Sequence, residues 1–373
     1  MAPLARLLSS QPRFESRLCI TGQHADLVRP VLDLFGVRVD HDLGVSAPGQ
    51  DLTDITANVL LRLRGVLRAE KPDLVLVHGD TTTCFAAALA AFYERVPIGH
   101  VEAGLRSHDL TSPFPEEANR LCVDVLSDMH FAPTRRAREN LVREGIDGSS
   151  IHVTGNTGID ALRFMRARNA DRPAAYYGYA FGPLLTPLLS DWPGPIVLVT
   201  AHRRESFGQG LTDLCAAIAA SARQHRDWLF VWPVHPNPNV NGVVRAALGD
   251  VTNVILVEPF DYEPFTWLLD RVSAIVTDSG GIQEEGPSLG KPVLVARDVT
   301  ERPEAVEAGT VRLVGTDREQ ICRGLEDVVE EGPARTAMAR AINPYGDGRA
   351  SERIVDLIGA RLGSALRVHA GAA

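Results

Sequence analysis

The chain has 373 residues, of which 45% are hydrophobic and 23% charged, and its net charge is −9 with histidine neutral. This composition is typical of a globular protein of about two domains and excludes a disordered chain. The acidic balance argues against a nucleic-acid-binding protein. The sequence contains no apolar run of about 18 or more residues, so we predict no membrane-spanning helix.

Strand-like and helix-like segments alternate along the chain. In the first half the predicted strands are Arg17–Thr21, Asp73–His78, Pro97–Val101, Met129–Ala132 and Ile151–Thr154. A helix is predicted over Asp51–Glu70, because its apolar residues recur at intervals of three and four. In the second half the predicted strands are Pro195–Thr200, Trp228–Val234, Asn253–Val257, Ser273–Thr277, Pro292–Ala296 and Val311–Val314, and the predicted helices are Gly208–Arg223 and Asp317–Glu330.

Most of these strands are nearly continuous apolar runs, which is typical of parallel strands buried on both faces. We therefore predict an α/β protein with parallel sheets and right-handed crossovers. The alternation weakens over Arg172–Gly194, where proline and glycine accumulate. This indicates an N-terminal domain over residues 1–170, a linker over 171–194 and a C-terminal domain from residue 195.

The five cysteines are far apart and form no C-x-x-C pair, so we expect neither a disulfide framework nor a structural zinc site. They are Cys19, Cys84, Cys122, Cys215 and Cys322. Residues 1–14 lack the layout of a signal peptide, which predicts a cytoplasmic protein.

Acidic residues follow two strands of the first half. Ligands of open α/β sheets bind beyond the carboxyl ends of strands, and Asp80 and Glu102 lie at such ends. With Glu116, in SPFPEEANR, they form a carboxylate group that could share acid and base work. Asp80 as a helix cap and Glu116 as an ordinary acid of a first helical turn are the alternatives.

In the second half the most informative segment is TDSGGIQEE. Ser279, Gly280 and Gly281 form a strand-to-helix turn where a phosphate could approach the backbone and the free N–H groups of the helix. Glu285, further along that helix, could bind two ribose hydroxyls. The alternative is a tight turn with Glu285 facing solvent.

Other candidates also follow strands of the second half. His202 and Arg203 suit the neutralisation of a phosphate, although a surface turn is the alternative. Arg302 is another phosphate or sugar candidate, and His235 follows a strand as well. Phe265 could stack on a base or pack in the core.

Several segments together make the sequence resemble the non-hydrolysing UDP-N-acetylglucosamine 2-epimerases. They are TGQH, VHGDTTT, GHVEAGLR, SPFPEEANR, VTGNTGIDAL, VTAHRRESFG, PVHPNPNV, TDSGGIQEEGPSLGKPVLV, TERPEAVEAGT and NPYGDGRASERI. The resemblance covers nearly the whole chain in order. It implies two Rossmann-like domains facing a cleft, the GT-B-type arrangement, with the second over residues 195–347. It also implies a helix within 348–373 that packs back on the N-terminal domain.

The resemblance implies reversible conversion of UDP-GlcNAc to UDP-ManNAc by elimination of UDP, a 2-acetamidoglucal intermediate and re-addition. Neither a cofactor nor a metal is implied, and the expected partner is a UDP-sugar, with no nucleic acid and no membrane. A homodimer is usual in the family. The implied catalytic residues are Asp80, Glu102, Glu116 and His202. The implied UDP contacts are Arg203, Phe265, Ser279, Gly280, Gly281, Glu285 and Arg302.

Many bacterial members also bind a second UDP-GlcNAc as an activator. The positions that match those used for activation are Gln23, Glu116, Arg203 and His235. Ala25 and Asp26, after TGQH, depart from the basic or amide residues usual there. Activation by UDP-GlcNAc is an expectation from the matching positions. Hyperbolic kinetics in UDP-ManNAc without added UDP-GlcNAc would contradict it.

One further departure concerns the first strand. Members of the family begin with a strand and a G-T-R-P-E turn before a helix that contains M-A-P-L, the residues with which this sequence opens. We expect that strand to be missing through a trimmed or misassigned start. The alternative functions are a hydrolysing epimerase that releases ManNAc and UDP, a nucleotide-sugar glycosyltransferase, and a catalytically silent UDP-sugar-binding protein.

Overall fold

The structure is a computed structural model that describes residues 1–23, 25–47, 49–201 and 208–370. It divides into two compact units. The first comprises Met1–Ala161 and Tyr345–Ala373, and the second comprises Leu162–Pro344. The chain therefore passes from one unit to the other inside a helix, earlier than the proline-rich and glycine-rich segment that the sequence points to.

Parallel strands and flanking helices make up the first unit. Its strands are β1 (Cys19–Ile20), β2 (His41–Asp42), β3 (Val75–His78), β4 (Ile98–Val101), β5 (Met129–Ala132) and β6 (Ile151–Val153). Its helices are α1 (Ala2–Ser9), α2 (Ala25–Phe35), α3 (Leu52–Glu70), α4 (Thr82–Tyr93), α5 (Glu116–Leu126), α6 (Arg135–Arg143) and α7 (Thr157–Asn169), the last of which continues into the second unit.

The strands of the first unit form two sheets. β1 pairs with β2, and β3, β4, β5 and β6 form a separate four-stranded sheet, with every pairing parallel. Within the described ranges no hydrogen-bonded ladder joins β1 to β3. Apolar residues of both sheets nevertheless pack in one core, where Cys19 lies with Val75 and Val77.

Helix α3 shows how the sequence sets the boundaries of an element. Asp51 caps its N-terminus by accepting a hydrogen bond from the Asp54 N–H at 2.9 Å, and the Asp54 carboxylate accepts one from the Asp51 N–H at 3.1 Å. The helix ends where Lys71 adopts a left-handed conformation. Its apolar stripe is buried in the core and consists of Ile55, Val59, Leu63 and Leu67.

The second unit contains one large sheet. Its strands are β7 (Ile196–Thr200), β8 (Leu229–Pro233), β9 (Val254–Val257), β10 (Ala274–Thr277), β11 (Val293–Val295) and β12 (Val311–Leu313). Its helices are α8 (Gly178–Asp191), α9 (Gln209–Gln224), α10 (Pro238–Leu248), α11 (Tyr262–Leu269), α12 (Gly280–Ser288), α13 (Pro303–Glu307), α14 (Arg318–Val328) and α15 (Pro333–Arg340). Among the helices of the described residues, none is long and apolar enough to cross a membrane.

The order of strands in this sheet is β12-β11-β10-β7-β8-β9, and all of them are parallel. This is the doubly wound Rossmann order, in which the connections run in opposite directions from β7 and β10. The Thr200 and Thr277 hydroxyls, 2.7 Å apart, link the ends of these two strands. Ligands bind at such a switch point, and α12 begins there. The predicted α/β fold with parallel sheets is confirmed.

Residues 171–194, predicted as a linker, form ordered structure within the second unit. A short 3-10 helix (Ala174–Tyr177) leads into α8. Tyr177 and Phe181 pack against Trp267 with ring centroids 5.8 and 5.4 Å apart. The aromatic side chains thus anchor this segment, while Gly182, with a φ of 70°, accounts for a kink inside α8.

The chain returns to the first unit for its last helix, α16 (Ala350–Ala370). The Asp160 carboxylate accepts hydrogen bonds from the N–H groups of Ala350 and Ser351 at 3.1 and 2.7 Å. Apolar residues of α16 pack with Leu4 of α1 in one buried cluster. The residues of α16 in this cluster are Ile354, Val355 and Ile358.

Candidate functional site

Two carboxylates lie where β3 and β4 end. Asp80 follows β3 after one residue, and Glu102 follows β4 directly. The Glu102 backbone has a φ of +70°, which is uncommon for a residue other than glycine and is found preferentially at functional sites. Nε2 of His78, the last residue of β3, lies 3.0 Å from Oε2 of Glu102.

Charged side chains of both signs surround Asp80. Arg120 Nη2 donates to Asp80 Oδ2 at 2.5 Å, and Asn119 Nδ2 donates to the Asp80 carbonyl oxygen at 2.8 Å. Burial raises the pKa of Asp80; the charge of Arg120 opposes this, and the charges of Glu102 and Glu116 add to it. A carboxyl group whose pKa is raised beside other carboxylates is suited to exchanging protons.

The N-cap of α4 is Thr81 and not Asp80, for which a capping role was the alternative. The Thr81 hydroxyl accepts a hydrogen bond from the Cys84 N–H at 3.2 Å and caps α4. The Asp80 carboxylate is therefore not needed to begin α4.

Glu116 is the first residue of α5 and borders a cavity of about 460 Å³ in the first unit. Its Oε2 is buried and has no hydrogen-bond partner among the described residues. Gln23 also borders the cavity and accepts a hydrogen bond from the Thr83 hydroxyl at 2.7 Å. Thr81 and Thr82 add further hydroxyls to its wall. A concave site with a few polar groups is suited to a small ligand.

A buried polar cluster that the sequence analysis did not single out lies behind the carboxylates. His100 of β4 contacts Asp124 of α5, and Asp124 in turn binds Arg106. The signal that could have found His100 is a repeated spacing. His78 precedes Asp80 by two residues, as His100 precedes Glu102, and residues two apart on a strand share one face of a sheet.

The switch point of the second unit carries the turn that the sequence predicts for a phosphate. Ser279 is the N-cap of α12, and its N–H donates to the Thr277 hydroxyl at 3.0 Å. Gly280 and Gly281 are the first two helical residues. A Cβ placed on Gly281 would meet no atom within 4 Å, so the first turn of α12 borders open space. A helix N-terminus of this kind favours an anion.

Glu285 lies on the same helix, and its pKa is raised. Burial, and then the charge of Glu284, raise the pKa of Glu285 to about 8, while a hydrogen bond with Tyr262 opposes the rise. Glu284 itself is buried and accepts a hydrogen bond from Arg302 Nε at 2.5 Å. Arg302 is thereby held close to α12 by a partner that the sequence analysis did not predict.

The remaining predicted residues are more dispersed or not described. Phe265 is half-buried on α11, and His235 is exposed after β8, where its Nδ1 accepts a hydrogen bond from the Asn237 N–H at 3.2 Å. His202 and Arg203 lie outside the described residues. The structure thus places Asp80 of the first unit close enough to Glu102 and Glu116 for the charges of both to raise its pKa. In the second unit it groups Ser279, Gly280, Gly281, Glu285 and Arg302 around α12.

Comparisons with known proteins cover nearly the whole chain. The sequence profile of a family described as UDP-N-acetylglucosamine 2-epimerase matches residues 6–359. A curated relative from Escherichia coli (strain K12), named UDP-N-acetylglucosamine 2-epimerase, is 51% identical over 360 residues, which cover 96% of this chain and 94% of the relative.

Solved structures agree with the sequence comparison. A crystal structure of UDP-GlcNAc 2-epimerase from Neisseria meningitidis bound to UDP-GlcNAc is similar with a TM-score of 0.86 and 45% identity, covering 96% of this chain and 95% of that one. A structure from Methanocaldococcus jannaschii, described as UDP-GlcNAc 2-epimerase in complex with UDP-GlcNAc and UDP, has a TM-score of 0.78 and 29% identity. It covers 96% of this chain and 95% of that one.

Proposed function

Because the chain belongs to the UDP-N-acetylglucosamine 2-epimerase family, we propose that it interconverts UDP-GlcNAc and UDP-ManNAc without hydrolysis. The observation that carries this proposal is the proximity of three carboxylates in the first unit, where the charges of Glu102 and Glu116 raise the pKa of Asp80. Inversion at C2 removes a proton from one face of the sugar and delivers one to the other face. Such a reaction needs more than one group that can exchange protons.

In the proposed reaction UDP leaves before the new configuration is made. The C1–O bond breaks and its electron pair leaves with UDP, and the electrons of the C2–H bond form the C1=C2 bond of a 2-acetamidoglucal. Positive charge that develops on the ring as the C1–O bond lengthens acidifies the C2 proton. Protonation of C2 on the opposite face and re-addition of UDP at C1 complete the epimerisation. We assign both proton transfers to Asp80, Glu102 and Glu116 as a group.

The second unit supplies the contacts to UDP in this proposal. The N–H groups of Gly280 and Gly281 and the hydroxyl of the N-cap residue Ser279 bind the diphosphate and stabilise the negative charge that grows as UDP leaves. The Glu285 carboxylate accepts hydrogen bonds from the ribose hydroxyls. Further proposed UDP contacts come from Arg203, Phe265 and Arg302, with His202 beside the diphosphate as the fourth catalytic residue.

The test follows UDP-GlcNAc in D₂O by nuclear magnetic resonance. We expect UDP-ManNAc to form and both UDP-sugars to acquire deuterium at C2, because the intermediate takes its proton from an acid that exchanges with solvent. No free ManNAc should accumulate. Free ManNAc together with UDP would contradict the proposal in favour of hydrolysis, and binding without any turnover would indicate a silent UDP-sugar-binding protein.

A pH dependence of binding follows from Glu285. Its pKa, raised to about 8, leaves the carboxyl group largely protonated at neutral pH, whereas accepting hydrogen bonds from two ribose hydroxyls requires the carboxylate. Binding must therefore expel a proton. We expect the affinity for UDP-GlcNAc to rise by up to about tenfold per pH unit below about pH 8 and to level off above it.

Isothermal titration calorimetry with UDP-GlcNAc measures this dependence, best in the Glu102→Gln protein, where turnover does not interfere. The matched variant carries Glu285→Gln in addition to Glu102→Gln. Because the glutamine at this position would have no proton to expel, the affinity of this variant should be nearly independent of pH. Equal pH profiles for the two proteins would show that Glu285 does not contact the ribose as a carboxylate.

A further inference from the structure

His100 is a completely buried histidine with an acceptor at each ring nitrogen. Its Nδ1 lies 2.6 Å from Asp124 Oδ1, and its Nε2 lies 2.8 Å from the carbonyl oxygen of Gly79. A carbonyl oxygen only accepts, so Nε2 carries a hydrogen. Asp124 also accepts a hydrogen bond from Arg106 at 2.6 Å and is held as a carboxylate, so Nδ1 carries the second hydrogen.

The positive ring is part of a chain of alternating charge. Arg106 joins Asp124 to Glu144, with its Nη2 2.6 Å from a carboxylate oxygen of each. The chain therefore contains two cations and two anions, which is the arrangement in which buried charges are tolerated. Burial lowers the pKa of His100, but the hydrogen bond to Asp124 and the proximity of Cys84 outweigh this and raise the pKa to about 10. The Cys84 thiol donates, at 3.2 Å, to the same carbonyl oxygen as Nε2 of His100.

The carbonyl group that His100 holds belongs to the peptide bond between Gly79 and Asp80. Gly79 has a φ of +72°, and its N–H donates to the Val101 carbonyl oxygen at 3.0 Å. The peptide therefore departs from the strand in a turn conformation. The contacts are reciprocal between the two strands. His78 of β3 reaches Glu102 after β4, and His100 of β4 reaches the residue before Asp80 after β3.

We propose that His100 is a positioning residue whose imidazolium fixes the Gly79–Asp80 peptide and thereby sets the place of the Asp80 carboxylate beside Glu102. This inference rests on the proposed function, because it assigns His100 a role in placing an acid/base group. His100 itself touches neither the substrate nor the reacting atoms. A charged donor gives a stronger and shorter hydrogen bond than a neutral one, which suits a peptide that must not shift.

The first test compares His100→Gln with a matched control, His130→Gln. His130 lies on β5, is as buried as His100 and contacts Asp124 too, through the carbonyl oxygen of Asp124 at 2.8 Å. For His100→Gln we expect kcat to fall about 30-fold with KM within about threefold of wild type, since a small misplacement of a reacting group is costly. For the control we expect kcat within about threefold of wild type.

Thermal unfolding of both variants separates positioning from folding. Comparable losses of stability with a fall in kcat confined to His100→Gln would support the proposal. A kcat for His100→Gln within threefold of wild type, or equal falls in kcat for both variants, would overturn it.

A second measurement uses the unaltered protein and needs no turnover. With nitrogen-15 in the histidine rings, we expect two ring N–H signals from His100 that persist from about pH 6 to about pH 9, where an ordinary histidine titrates near pH 6.5. Loss of either signal within this range would overturn the imidazolium and with it the proposal. This measurement still decides the matter if His100→Gln does not fold. Absence of wild-type turnover in D₂O would overturn the proposed function alone.

Discussion

Replacing Glu102 by glutamine is expected to lower turnover by about 10³- to 10⁴-fold while the affinity for UDP stays unchanged. Glutamine keeps the shape of the side chain at the end of β4 but cannot take up or deliver a proton. Because the UDP contacts are proposed in the second unit, they should not register the change. Turnover is measured from the conversion of UDP-GlcNAc, and affinity from calorimetry with UDP.

The matched control for this variant is Glu139→Gln on α6. Glu139 is an exposed carboxylate of the first unit, so its loss changes the net charge by the same amount and should leave turnover near that of wild type. The exchange of the C2 proton with D₂O should stop in Glu102→Gln and continue in the control. Wild-type turnover in Glu102→Gln would remove Glu102 from the acid/base group.

Introducing aspartate at Gly281 is expected to weaken UDP binding by about 100-fold, since like charges brought together at a binding site cost several kcal/mol. The new carboxylate would occupy the place that we propose for the diphosphate, at the N-terminus of α12. The protein should remain folded, because a Cβ on Gly281 meets no atom within 4 Å and a carboxylate in the first helical turn is itself stabilising.

Gly281→Asn provides the control, since asparagine has nearly the same shape as aspartate and carries no charge. We expect it to weaken UDP binding by less than about fivefold, the difference between the two variants being electrostatic. Thermal unfolding should show both variants to be as stable as wild type. Equal weakening by the two would indicate a steric effect, and unchanged binding by Gly281→Asp would place the diphosphate elsewhere.

Most strands could be located from the sequence because they are continuous apolar runs. The structure places β5 at Met129–Ala132, as predicted, and the other predicted strands begin and end within two residues of their predicted bounds. β2 was not predicted because its two residues, His41 and Asp42, are polar and their strand conformation depends on pairing with β1. A strand that is defined only by its partner leaves no periodicity in its own sequence.

Some residues of the candidate site could be predicted from local sequence, whereas others depend on contacts between distant parts of the chain. Asp80 and Glu102 were visible because they follow apolar strands, which is a local signal. The bond from His100 to Gly79 joins residues that are 21 apart in sequence and depends on the register that pairs Val77 with His100. Sequence patterns of single strands do not specify register between strands, so the buried chain behind the carboxylates emerged only from the structure.

The return of the chain to its first unit has a consequence for folding during synthesis. A nascent chain emerges from the ribosome with its N-terminus first, and domains ordinarily fold in that order. Here the partners of Leu4 within α16, Ile354 to Ile358, are made only after all of Leu162–Pro344. The second unit is therefore complete, and free to fold, while the first still exposes an open apolar surface. The first unit to be started is therefore the last to be finished, because its apolar cluster around Leu4 can close only after the second unit has been made.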